Sequence, residues 1–215
     1  MSSTPSSAEG PERGGIVTTA TDDRCLISNV HEGYAVEYVH ALRRSSSNTL
    51  LTQLECAFGM VRGTLNVDTR LNTFKLASNL RCMFEKGWLF FIPEKKELTK
   101  YLNGGKPDLK YDGENQISYK YKLVASPELF DFPILRTDNS QHIIYSYPFT
   151  SFPVLESHVH PVYMICHFGQ ATESTPFAVI RANPHLLDEL TMTAEIYERW
   201  TRALPSPEFL ANFAP

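Results

Sequence analysis

The chain has 215 residues, enough for one sizeable core, and its 42% apolar, 12% aromatic and 20% charged residues are the balance of a globular protein. A net charge of −4 and a pI near 6.0 exclude bulk attraction to nucleic acid or an anionic membrane, so any such site has to be a local basic patch. Cys25, Cys56, Cys82 and Cys166 form no C-x-x-C pair, which argues against a zinc ribbon or a redox motif and for reduced, mostly buried thiols.

Residues 1–22 are rich in Ser, Thr, Gly and Pro, and they read as a disordered tail without the apolar core of a secretory signal. No apolar run approaches a membrane span. An intracellular protein of cytoplasm or nucleus, with no membrane partner, is the expectation. Order should begin with a short β-like run over Cys25–Val30, a turn at His31-Glu32-Gly33 and a strand from Tyr34 to His40. Ser45-Ser46-Ser47-Asn48 supplies N-cap chemistry for a helix carrying Leu50, Leu51, Leu54 and Phe58, which Gly59 should stop. After an irregular stretch from Gly63 to Phe74, Ser78 is placed to cap a shorter helix bearing Leu80, Met83 and Phe84 and ended by Gly87.

In the second half Ile117, Tyr119, Tyr121 and Leu123 alternate with Ser118, Lys120 and Lys122, the pattern of a one-sided strand. Further strands are expected at Trp88–Ile92, Ile143–Tyr147, Val162–Phe168 and Phe177–Arg181, with turns at Leu102–Gly105 and Asp112-Gly113. Lys95 and Lys96 read as strand- or loop-exterior charges. Asn183-Pro184 should start a helix with Leu186, Leu190, Tyr197, Trp200 and Leu204 on one face. Strands following one another without helices between them imply antiparallel pairing, hence a mixed α+β fold.

Three features of the first half occur in a telling order: His40 closing an early strand, Asn72 in a loop, and a helix directly after it. The stretches Cys25-Leu26-Ile27-Ser28-Asn29, His40-Ala41-Leu42, Gly63-Thr64-Leu65-Asn66-Val67-Asp68-Thr69-Arg70-Leu71-Asn72 and Leu76 to Gly87 carry it. Together they resemble the HNH endonuclease family, and most closely its fungal branch, which reads G-x-L-N-x-D-T-R-x-N and then L-x-x-D-L-H-x-x-F-D-x-G. The resemblance covers about a third of the chain. It implies a ββα-metal core at about 25–91, a β-rich extension with a C-terminal helix at about 92–215, and one domain over 23–215.

By the same resemblance, His40 is the base that activates water in phosphodiester hydrolysis, a task that suits an imidazole with an ordinary pKa of roughly 6.5. Asn72 would hold the base-bearing turn through its amide. A divalent ion (Mg²⁺, Mn²⁺ or Zn²⁺) would be the cofactor of an active member, and none is needed by an inactive one. The family's helix histidine is replaced here by Arg81, which has no lone pair and cannot ligate a cation. Val39 stands where many members place a further ligand.

Arg81 therefore marks either a degenerate nuclease or a guanidinium that grips phosphate in place of the metal. A metal held by Asp68, Glu37 or another carboxylate is a third possibility, so the metal ligands stay unassigned. Arg43, Arg44, Arg70 and Lys75, with Arg62, could line a nucleic-acid groove or form a solvated basic surface. The two function classes left open are a nuclease-like enzyme and a non-catalytic module binding nucleic acid or protein.

Other residues have blander readings beside sharper ones. His158 and His160 would share one face of an extended segment and could bind a metal, His167 being a remote third ligand, but a structural pair is the commoner outcome. Tyr119 and Tyr121 could stack on bases, but the same alternation is what any one-sided sheet requires, and core packing is the favoured reading. Cys25 or Cys82 could act as a nucleophile with His40, while burial is the usual fate of such residues.

Overall fold

The computed structural model describes residues 23–31, 33, 35–110, 117–173 and 176–212. The tail expected over 1–22, the Asp112-Gly113 turn, Glu32 and Tyr34 lie outside them. The fold is mixed α+β, with small antiparallel sheets and helices. Strand β1 (Val36–His40) pairs antiparallel with β2 (Thr73–Ala77), Val36 opposite Ala77 and His40 opposite Thr73. Between them lies helix α1 (Asn48–Phe58), capped by Ser47 Oγ, which accepts from Leu50 N at 3.2 Å, and stopped by Gly59 at φ 71°. That positive φ suits glycine, and the Gly59 N–H turns back to the Cys56 carbonyl.

Helix α2 (Ser78–Glu85) follows β2 without a break. Its N-cap is Ala77, whose side chain makes no bond, and not Ser78; Ser78 Oγ instead reaches Ala35 O at 2.9 Å and Glu37 Oε1 at 2.6 Å. Strand β3 (Leu89–Pro93) is buried along its whole length and pairs with β4 (Tyr119–Ala125), which in turn pairs with β7 (Leu155–Ser157). Successive residues of a strand face opposite sides. Phe91 meets Phe74 and Phe84 with ring centroids 5.4 and 5.7 Å away, while Phe90 meets Phe168 at 5.2 Å, so both faces of β3 are covered. A separate hairpin, β5 (Ile134–Asp138) with β6 (Gln141–Tyr145), carries the buried Arg136, whose Nη1 donates to the Leu26 and Ile27 carbonyls.

Several expectations are corrected. Val162–Phe168 is not a strand but part of α4 (Pro161–Thr172), and Phe177–Arg181 lies in helix α5 (Pro176–Ala182). A short apolar run has no period that separates a buried strand from a helix buried all round. Here His160 and Pro161 open a twelve-residue helix whose side chains are nearly all buried. Cys25–Val30 forms turns with one bridge, Arg24 to His31, because Cys25 N bonds to Val30 O and Asn29 N to Cys25 O. Lys95 and Lys96 open helix α3 (Lys95–Leu102).

The C-terminal helix α6 (Leu187–Arg202) buries Leu190, Tyr197 and Trp200, after a 3-10 turn at Pro184–Leu186. Asn183 does not cap it; its amide donates to Ala125 O and Val179 O instead. Leu204, expected on the buried face, is 90% exposed because the helix has already ended. A last short helix, α7, spans Pro207–Ala211. Among the described residues no helix is long and apolar enough to cross a membrane.

Gly169 sets the approach of α4 to α6, since a Cβ built there would sit 2.0 Å from Cγ of Tyr197. That atom lies at the root of the ring and cannot swing aside. Alanine normally favours a helix over glycine by roughly 0.5–1 kcal/mol, but overpacking costs about 1–3 kcal/mol or more. Gly169→Ala should therefore lower stability by about 2 kcal/mol, read as a fall in the urea midpoint; a rise would show that α6 yields.

Candidate functional site

His40 ends β1, and beyond it the ladder is continued by Asn72 rather than by backbone alone. The Asn72 carbonyl accepts from Ala41 N at 3.0 Å, its Oδ1 from Leu42 N at 2.8 Å, and its Nδ2 donates to Leu42 O at 2.9 Å and Val67 O at 2.8 Å. The side chain is fully buried. Thus one amide ties the loop leaving His40 to the loop that carries Asp68. The second loop is also shaped from within: Asn66 Oδ1 accepts from Asp68 N at 2.8 Å, and Thr69 Oγ1 from Leu71 N at 3.3 Å.

This placement brings Asp68 Oδ1 to 3.1 Å from His40 Nε2. Arg44 Nε also donates to Asp68 Oδ1, and that bond first, with His40 contributing less, holds the carboxyl below its ordinary range. An ionised carboxylate only accepts, so the neutral imidazole places its proton on Nε2 and its lone pair on Nδ1. A carboxylate that orients a histidine this way is the arrangement used for proton abstraction.

A cleft of about 380 Å³ runs beside β1, lined by Tyr38, His40, Arg43, Arg44, Arg81, Glu85 and His167 among others. Arg81 faces it, but its guanidinium is already engaged: Nε donates to Glu85 Oε1 at 2.8 Å and Nη1 to Glu37 Oε2. The Glu85 bond is the largest cause of its raised pKa. Glu37 is held below the usual carboxylate range by Ser78 first and Arg81 second. Arg43 donates through Nη2 to the Glu85 carbonyl at the end of α2, where a cation complements the helix dipole.

Under the cleft, the His167 ring stacks on Phe84 with centroids 3.7 Å apart and donates from Nε2 to the Phe84 carbonyl at 3.0 Å. Its Nδ1 is buried without a hydrogen-bond partner among the described residues. Burial, more than any other cause, pushes its pKa down to about 3.

Of the sequence candidates, His40, Arg43, Arg44 and Arg81 share this cleft, and Asn72 supports it from beneath. Lys75 is buried beneath the N-terminal segment, its Nζ 3.7 Å from Asp23 Oδ1, and neither it nor Arg70 lines the cleft. His158 bonds the Thr73 carbonyl at 2.9 Å and His160 opens α4, so each has a structural use. Among the described residues, no three His, Cys, Asp or Glu side chains are grouped to hold a metal. Tyr121 is fully buried and Tyr119 packs on His160, which is core packing. Cys25 is buried and its Sγ accepts from Ser28 N; Cys82 is exposed, against expectation, and neither lines the cleft.

Asp68, Glu85 and His167 were not assigned these places from sequence. The i,i+4 spacing of Arg81 and Glu85 was the available signal for one of them. No family model, curated protein or solved structure matches this chain in comparison.

Asn72→Ala removes three side-chain hydrogen bonds and strands buried backbone groups, so it should cost about 2–4 kcal/mol in urea unfolding. His160 and His167, depressed to about 4 and about 3, fold as neutral rings. Their contribution is complete above the unfolded value of 6.5 and is lost as pH falls towards those folded values. The urea midpoint should therefore begin to drop as pH falls below about 6.5, before most carboxylates titrate near about 4, and the slope should lessen in His167→Gln. A flat midpoint across that window would contradict the assignment.

Proposed function

We propose that this is an HNH-nuclease-like protein that binds phosphodiesters in the His40 cleft and whose hydrolytic centre is degenerate or only weakly active. The order β1, β2, α2, with His40 ending the first strand and Asn72 bracing the turn, supports the ββα reading. The single observation that carries the rest is Arg81, which lines the cleft with His40 and is bonded to both Glu37 and Glu85.

A divalent cation does not fit there. The guanidinium has no lone pair, repels a cation, and engages Glu37 and Glu85, while Asp68 is bonded to His40 and Arg44. No catalytic step is therefore drawn through a metal. What the residues themselves can do is narrower: Asp68 orients His40 so that Nδ1 accepts a proton, and Arg43, Arg44 and the open side of Arg81 meet a phosphate's charge. The same engagement of Arg81 favours a second reading, in which the protein binds nucleic acid and hydrolyses nothing.

Purified protein incubated with supercoiled plasmid or single strands should nick at background level, with Mg²⁺, Mn²⁺ or Zn²⁺ as with a chelator. Metal-dependent nicking that disappears in His40→Ala would overturn the degenerate reading. Arg81→His releases Glu37 and Glu85 and offers a neutral nitrogen beside them, so it should gain Zn²⁺ or Mn²⁺ binding by calorimetry. If no binding heat appears, Arg81 is not the equivalent of the family's helix ligand.

A further inference from the structure

Tyr38 is two residues before His40 on β1, so their side chains stand on one face of the strand, about 6.4–6.8 Å apart along it. Both line the cleft. Unlike the buried aromatic rings of β3 and β4, Tyr38 is 63% exposed. Its ring is also held: Lys75 Nζ, from the residue opposite in register, lies 4.8 Å from the ring centroid and covers one side. β1 pairs only with β2 among the described residues, so its other edge opens on the cleft.

An exposed, braced aromatic ring beside two arginines is the combination that receives an unpaired base next to its phosphate. From this geometry we infer that the cleft is built for single-stranded nucleic acid, with a base stacked on Tyr38 and the adjoining phosphate held by Arg43 and Arg44 in front of His40. This rests on the proposed phosphodiester-binding function and adds a specificity element to it. A duplex keeps its bases stacked inside and has none to offer the ring. Tyr38 is a specificity-determining residue here, not a catalytic one.

Fluorescence anisotropy with a labelled oligothymidylate, an oligouridylate and a mixed-sequence duplex of equal length tests this. Both single strands should bind more tightly than the duplex. Tyr38→Ala should weaken single-strand binding by about 5- to 150-fold, the range of one lost base stack, and leave duplex binding unchanged. Tyr38→Phe should retain it. The slope of affinity against salt should not change in Tyr38→Ala, because no phosphate contact is removed, whereas Arg43→Ala should flatten it. The urea midpoint of Tyr38→Ala should fall only slightly, through the lost contact with Lys75, so that the variant remains folded in the binding assay.

If Tyr38→Ala binds single strands as the wild type does while salt still weakens them, the stacking inference fails and the phosphodiester site stands. A preference for duplex overturns the inference likewise. Binding to neither form removes both the inference and the function on which it rests.

Discussion

Everything at the His40 end of the molecule depends on the Asn72 side chain. Two antiparallel strands can hold their own backbone groups only as far as their ladder runs, and β1 and β2 stop at the His40 and Thr73 pair. Past that point two loops diverge, one to α1 and the other back towards Asp68. Asn72 has both a donor and an acceptor on one short stem, and it makes a paired contact with Leu42 while also holding Val67. No hydroxyl or carboxylate could supply that combination. The 3.1 Å meeting of His40 and Asp68 is a result of it.

Charge at the cleft is arranged more economically than the residue count suggests. Arg44 is held by Asp68, Arg81 by Glu37 and Glu85, and Arg43 by the last carbonyl of α2. These exposed pairs contribute little to stability. Their effect is to fix long cationic side chains in one direction, which lowers the entropy lost when an anion arrives. They also temper the positive field at the cleft.

The legible part of the sequence was where local chemistry decides: Ser47 and Gly59 bound α1, and the alternation after Ser118 marks β4. The mixed α+β class followed. Failures came where tertiary burial erased the period, as in α4, which is buried along nearly its whole length and whose run reads as a strand. At the site, His40 and Asn72 were visible as residue types. Their partners were not, because Asp68 reaches His40 through a loop shaped by side chains, and His167 arrives from a helix that the sequence had presented as a strand.

Helix α4 and the segment before it brace the β1–β2 pair and α2 from far along the chain. His158 bonds Thr73, His160 N donates to Leu71 O at 2.8 Å, and His167 bonds Phe84, contacts that span more than eighty residues. The first ninety residues therefore do not contain all that holds their own cleft together. During synthesis on the ribosome, β1, β2 and α2 emerge long before these braces do, and the pocket takes its final shape only once the chain through α4 has left the exit tunnel. The candidate site is thus tied to completion of the chain, and a truncated product lacking α4 would carry His40 and Arg81 without the floor beneath them.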